Sequence, residues 1–216
     1  MDTQAARRQM VDQQIRTWEV LDTHVLDTLA VIPRESFVED AYRQLAFADA
    51  SIPIGFGQTM LAPKMHGRIL QALAIDATDR VLEVGTGSGY LTAALGLLSA
   101  NTTSIDIHPE FIDRARRNLG AVPRARVDLQ VRDAFAPSAL GQFEAIALTG
   151  SMPVYDERFE KALSVGGRLF AVVGSAPVME ALLVRRVDAA QWVRESLFET
   201  VIEPLIGAPA APRFVF

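Results

Sequence analysis

The chain has 216 residues, 50% of them hydrophobic, with a net charge of −5 and a pI near 5.3. That composition supports a full apolar core, and the negative balance opposes tight nonspecific binding of nucleic acid. With no cysteine, disulfides, thiolate metal sites and a cysteine nucleophile are excluded.

Within residues 4–19, Met10, Val11, Ile15 and Trp18 fall at helical spacing, with Arg7, Arg8, Asp12 and Arg16 on the other faces. Asp22 reads as the N-cap of a second helix, whose stripe is Val25, Leu26, Leu29 and Ala30 and which Pro33 stops. Residues 36–63 contain Pro53, Gly55, Gly57 and Pro63, which forbid a long regular element. A loop of that length is uncommon in a compact domain unless it has a task, and it carries Gln58 and Thr59. Met65, Ile69, Leu70 and Leu73 then read as a helix.

From Val81 onward strands and helices alternate. Val81–Val84 is a strand, 90–98 a helix, 102–107 a strand and 109–119 a helix, with Pro109 suited to its first position. Strands follow at 127–131 and 143–148, a helix at 155–163 and a strand at 167–173. Residues 178–187 and 192–202 have no helix between them and read as an antiparallel pair. The alternation predicts an α/β, Rossmann-like, doubly wound and mainly parallel seven-stranded sheet, with an N-terminal helical extension and an antiparallel C-terminal strand pair. Residues 208–212 form a short Pro/Ala tail that adds little to the fold. No charged-then-apolar leader opens the chain, and no apolar run approaches the ~20 residues that cross a bilayer. The expectation is therefore a cytoplasmic protein without a membrane partner.

The chemistry concentrates in Glu83-Val84-Gly85-Thr86-Gly87-Ser88-Gly89-Tyr90. A strand that breaks into closely spaced glycines and then enters a helix allows positive φ and lets backbone approach a ligand. Tyr90 stands where a dinucleotide fingerprint has its last glycine, which points to a nucleoside loop rather than an NAD loop. Asp106 ends the next strand, placed for ribose hydroxyls, and Asp133 follows the third, placed for an adenine amino group. There is no Gly-Lys-Ser/Thr, no His-Glu-x-x-His and no Gly-x-Ser-x-Gly; His24, His66 and His108 are scattered. P-loop, zinc-protease and serine-hydrolase chemistries are disfavoured, and no metal site is expected.

These motifs resemble the class I S-adenosylmethionine-dependent methyltransferases. Met10-Val11-Asp12-Gln13-Gln14-Ile15-Arg16, Ile32-Pro33-Arg34-Glu35-Ser36-Phe37-Val38, Ala41-Tyr42 and Ile52-Pro53-Ile54-Gly55-Phe56-Gly57-Gln58-Thr59 narrow the likeness to the protein-L-isoaspartate O-methyltransferases. Phe143-Glu144-Ala145-Ile146, Leu148-Thr149-Gly150, Val165-Gly166-Gly167-Arg168-Leu169 and Glu203-Pro204-Leu205 continue it over nearly the whole chain. The resemblance implies S-adenosyl-L-methionine as cofactor, held by Glu83, Gly85, Thr86, Gly87, Ser88, Gly89, Asp106, Ile107, Asp133 and Ala134. It implies isoaspartyl-containing peptides or proteins as partners, with Thr59 at the reacting carboxylate. It also implies a division into residues 1–78, covering the site, and 79–216, binding the cofactor. The chain departs from the family pattern at three positions. Leu61 stands where the family has its active-site Ser, Ala134 replaces the Gly of Asp-Gly, and Ile206 replaces a Thr. A different acceptor on the same fold, or a noncatalytic module that binds the cofactor, are the alternative readings.

Overall fold

The computed structural model describes residues 2–137 and 140–210. Helix α1 (Thr3–Met10) is capped by Asp2, whose carboxylate accepts from the N–H groups of Gln4 and Ala5. It continues through a π-helical turn at Val11–Ile15 and a 3-10 turn at Arg16–Trp18. Met10, Val11 and Ile15 are buried as their spacing predicts. Trp18 is not: the wide turn followed by the tight one shifts it off the apolar stripe, and it is 47% exposed with Lys64 Nζ 4.1 Å from its ring centre. Helix α2 (Thr23–Val31) begins at Asp22, which accepts from His24 N–H at 2.8 Å and Val25 N–H at 3.4 Å. Asp22→Ala should cost about 1 kcal/mol, seen as a lower urea midpoint at unchanged slope.

The expected loop at 36–63 is more structured than its prolines and glycines imply. After two 3-10 turns, Arg34–Phe37 and Asp40–Leu45, it forms a short hairpin of β1 (Ile52–Gly55) and β2 (Gln58–Met60), with Ile52 opposite Met60 and Pro53 opposite Thr59. Gly55, Phe56 and Gly57 all take positive φ in the turn, so the glycines shape the hairpin instead of preventing it. Helix α3 (Pro63–Leu73) starts directly behind it.

The chain then runs β3 (Arg80–Val84), α4 (Tyr90–Leu98), β4 (Asn101–Asp106), α5 (Pro109–Asn118), β5 (Val127–Val131) and β6 (Phe143–Met152). It ends with α6 (Arg158–Lys161), β7 (Leu163–Ser175), β8 (Val178–Asp188) and β9 (Gln191–Thr200). The helix expected at 155–163 shrinks to the single turn α6. Leu163 already pairs with Phe143 as the first residue of β7, and Glu160 is held by Tyr155, Trp192 and Arg194. The Pro/Ala tail falls partly at 211–212, outside the described residues.

The seven-stranded sheet has the order β5-β4-β3-β6-β7-β8-β9, parallel from β5 to β7 and antiparallel beyond it. Strand alternation splits the core by face. Val81, Ala145, Ala147, Phe170 and Val172 pack with the buried residues of α1 to α4. Leu82, Val84, Ile146, Leu148, Leu169 and Ala171 pack on the opposite face with Ala134 and Phe159. The strand order reverses between β3 and β6, so the carboxyl ends of β3 to β6 frame the crevice where open α/β sheets take ligands. No helix among the described residues is long and apolar enough to cross a membrane.

Candidate functional site

The turn after β3 is shaped by close approach as much as by flexibility. Gly85, Gly87 and Gly89 take φ of 97°, 52° and 85°. The parallel register sets Val84 opposite Leu148, bringing Gly85 beside Thr149. Thr149 Oγ1 lies 3.0 Å from Val84 O and 2.7 Å from Gly85 O, both within hydrogen-bonding reach of its one proton. A Cβ on residue 85 would sit 2.2 Å from that oxygen. At residue 89 a Cβ would meet Ala115 Cβ at 2.9 Å, so this glycine lets α4 start against α5.

A cleft opens over this turn. Its lining includes Gly85, Gly87, Asp106, Ile107, Asp133 and Ala134, together with Thr59 from the hairpin. Asp106 accepts from Gly87 N–H and His108 N–H, each at 3.0 Å, which fixes its carboxylate at the end of β4. Burial raises its pKa, against the lowering effect of those N–H groups. Asp133 accepts from Phe135 N–H at 2.8 Å in an Asx turn that aims the segment after β5 into the cleft.

Behind the turn lies a second, small cavity, lined by Thr59, Leu61, His66, Glu83, Thr86, Ser88 and Tyr90 among others. Glu83 belongs here and not in the outer cleft. It is fully buried; Oε2 accepts from Thr92 Oγ1 at 2.5 Å and Ser104 Oγ at 2.6 Å, while Oε1 has no partner. Burial pushes its pKa up to about 8, outweighing those two hydrogen bonds. Thr86 Oγ1 hydrogen-bonds Ser104 Oγ at 2.6 Å, which ties the turn to the same buried network. Thr59, Gly85, Gly87 and Thr149 line both spaces, so the cleft and the inner cavity meet at the hairpin and the glycine turn.

The hairpin is fastened on two sides. Arg114 on α5 donates to Ile54 O at 2.7 Å, and Gln58 donates to Pro204 O at 3.4 Å. Its Phe56 stacks on His108 at 4.1 Å between ring centres.

Eleven of the twelve residues singled out from sequence line the two adjoining spaces; Gly89 lines neither and instead sits against Ala115 at the start of α4. Sequence reasoning missed Thr149 and Leu205, which line the cleft, and the buried Arg34 and His66. Thr149 was detectable as the one polar residue following an uncharged strand run. Arg34 and His66 carried no such signal, because the contacts that make them notable join segments 32 residues apart.

A family model described as "Protein-L-isoaspartate(D-aspartate) O-methyltransferase (PCMT)" matches residues 5–208. A protein-L-isoaspartate O-methyltransferase from Koribacter versatilis is 37% identical over 202 residues, covering 93% of this chain and 90% of the relative. One of the same name from Methanoculleus marisnigri is 35% identical over 205 residues, covering 93% and 91%. In fold, the chain is similar to a Plasmodium falciparum protein crystallised with S-adenosyl-L-homocysteine and assigned to the same activity. That likeness has a TM-score of 0.78, 18% identity, and coverage of 92% and 97%. The match spans nearly the whole sequence, the hairpin and the glycine turn included, and the chain belongs to the protein-L-isoaspartate(D-aspartate) O-methyltransferase family.

Proposed function

We propose that this protein transfers a methyl group from S-adenosyl-L-methionine to the side-chain carboxylate of isoaspartyl residues in peptides and proteins. The observation that carries the reading is the family match over residues 5–208, which includes both the hairpin and the glycine turn. The chain's own geometry is compatible with the cofactor: the turn is a cradle that a Cβ would fill, and Glu83 Oε1 is a buried oxygen left without a partner. When bound, S-adenosyl-L-methionine supplies an electrophilic sulfonium methyl. In this reading Gly85, Thr86, Gly87, Ser88 and Gly89 shape the turn against it, with Glu83 beneath. Asp106 and Ile107 face its ribose, and Asp133 and Ala134 face its adenine. Residues 1–78 provide the cover and 79–216 the cofactor domain.

The acceptor carboxylate is ionised at neutral pH and needs no general base. The protein's work is to orient it and to keep water out, since attraction between a carboxylate and a cationic methyl donor is strongest in a dry site. Thr59 lines both spaces and offers a hydroxyl where they meet. Incubation with an isoaspartyl peptide and methyl-labelled cofactor should yield a base-labile ester. Calorimetric cofactor binding without ester above the no-enzyme control would overturn the reading.

Leu61 favours a second reading, the same chemistry on a more apolar acceptor. Its side chain is buried and lines the inner cavity without a donor. Leu61→Ser should raise isoaspartyl methylation roughly tenfold, the worth of one hydrogen bond to a charged group. It should also cost about 2–3 kcal/mol of stability for the lost burial. An unchanged rate would mean that Leu61 does not limit the isoaspartyl reaction.

A further inference from the structure

The hairpin owes its bend to a residue with no cross-strand partner. Pro53 pairs with Thr59 and Gly55 with Gln58, so Ile54 is an extra residue with none opposite it, a β-bulge. Its side chain and its carbonyl serve two different neighbours. The buried side chain lies on the glycine turn, where an added Cβ on Gly87 would sit 3.0 Å from Ile54 Cδ1, and it lines both the cleft and the inner cavity. The carbonyl accepts from Nη1 of Arg114, on α5, at 2.7 Å.

Arg114 has a second partner. Its Nη2 lies 3.0 Å from Glu39 Oε1, and its guanidinium 5.3 Å from the centre of the Phe111 ring. The two polar contacts differ in worth. The Glu39 side chain is 48% exposed, so that ion pair is screened by solvent and contributes little. The Arg114 side chain is 21% exposed, and its hydrogen bond to the bulge carbonyl is charge-assisted and part-buried. Beyond the bulge, the turn residue Phe56 stacks on His108 and meets Phe111 edge-on at 5.4 Å. The hairpin is thus fastened to α5, the helix that follows Asp106.

We propose that Arg114 is a positioning residue for methyl transfer: by holding the Ile54 carbonyl it sets the bulge, and the bulge presses the Ile54 side chain onto the glycine turn that takes S-adenosyl-L-methionine. The same bond steadies Pro53, which pairs with Thr59 on the facing strand. The inference rests on the proposed function only for the identity of the ligand on that turn.

Three single variants separate the contacts. Arg114→Met keeps a stem over Phe111 and removes every donor, Arg114→Lys restores one donor, and Glu39→Gln removes only the charge of the exposed pair. Thermal unfolding verifies that each variant folds. Two quantities are read on the cofactor-free protein. One is the rate of chymotryptic cleavage after Phe56, a half-exposed residue at the tip of the hairpin, followed by mass spectrometry. The other is the affinity for S-adenosyl-L-homocysteine by calorimetry. Arg114→Met should be cut after Phe56 about tenfold faster and bind about tenfold more weakly, the worth of one charge-assisted hydrogen bond. Lysine should recover most of both losses, and Glu39→Gln should stay within about twofold of the wild type. In an Ile54→Ala background, Arg114→Met should cost about twofold or less in affinity, because no side chain remains for the bulge to press on the turn. The proposal is overturned by a folded Arg114→Met protein with unchanged affinity, by Glu39→Gln being as damaging as Arg114→Met, or by the full loss persisting in the Ile54→Ala background. Neither readout needs turnover. A wild-type protein that binds S-adenosyl-L-homocysteine but makes no ester would refute the proposed acceptor and leave the role of Arg114 to these two measurements.

Discussion

Gly85→Ala should abolish measurable S-adenosyl-L-homocysteine binding and lower the unfolding free energy by about 3–5 kcal/mol. Two costs add. An alanine at φ 97° lies in the left-handed half of the map, at about 1–2 kcal/mol. Its Cβ would also overlap Thr149 Oγ1 at 2.2 Å, so the threonine must turn away from the carbonyls of Val84 and Gly85. That lost hydrogen bonding contributes a further 1–3 kcal/mol. Urea unfolding measures the sum, and the double variant Gly85→Ala/Thr149→Ala separates the parts. Removing the hydroxyl relieves the overlap but not the backbone strain, so the two changes should be less than additive. Strict additivity would show that residue 85 and Thr149 do not meet as the parallel register of β3 and β6 places them.

Glu83→Gln should flatten the pH dependence of stability on the alkaline side. An ordinary glutamate titrates near 4.5, and this one is pushed up to about 8 by burial. Between those values the unfolded chain has released the proton and the folded chain still holds it. The folded state is then the one with more bound protons, so stability falls as pH rises, by about 1.4 kcal/mol per unit for this group. Its contribution is fully present below pH 4.5 and lost once the pH has passed about 8. Glutamine keeps the shape, and its carbonyl can accept from Thr92 and Ser104 in place of Oε2. The quantity to measure is the wild-type minus Glu83→Gln difference in unfolding free energy at pH 5, 6, 7 and 8. It should decline steadily, by roughly 4 kcal/mol across those three units. A flat difference would mean that Glu83 is ionised in the native protein at neutral pH.

The sheet was readable from sequence because its strands obey simple rules. Apolar runs such as Val81–Val84 and 143–148 are bounded by turns, and the chain alternates helix with strand. The glycine turn and the two acids that line the cleft were readable for the same reason: each sits at a strand's carboxyl end. Three features were not. Trp18 lies beyond a π-helical turn, whose wider pitch no 3.6-residue period anticipates. The one-turn α6 is shortened by β7, which recruits Leu163 through pairing with Phe143, a tertiary event. The pairing of Arg34 with His66 brings two positions 32 residues apart into contact in the interior; on the sequence alone His66 was one of three scattered histidines.

The division of the apolar core between the two faces of the sheet bears on how the chain is made. Residues 1–78 leave the ribosome first, yet much of the surface they bury against is encoded later, at Ala145, Ala147, Phe170, Val172, Met179 and Ala181. Until β6 and β7 have been synthesised, the sticky sides of α1, α2 and α3 have little of the sheet to dock on. The nascent chain thus carries an uncovered greasy surface until those strands emerge, and fragments ending before residue 170 should aggregate or engage chaperones where the whole chain does not.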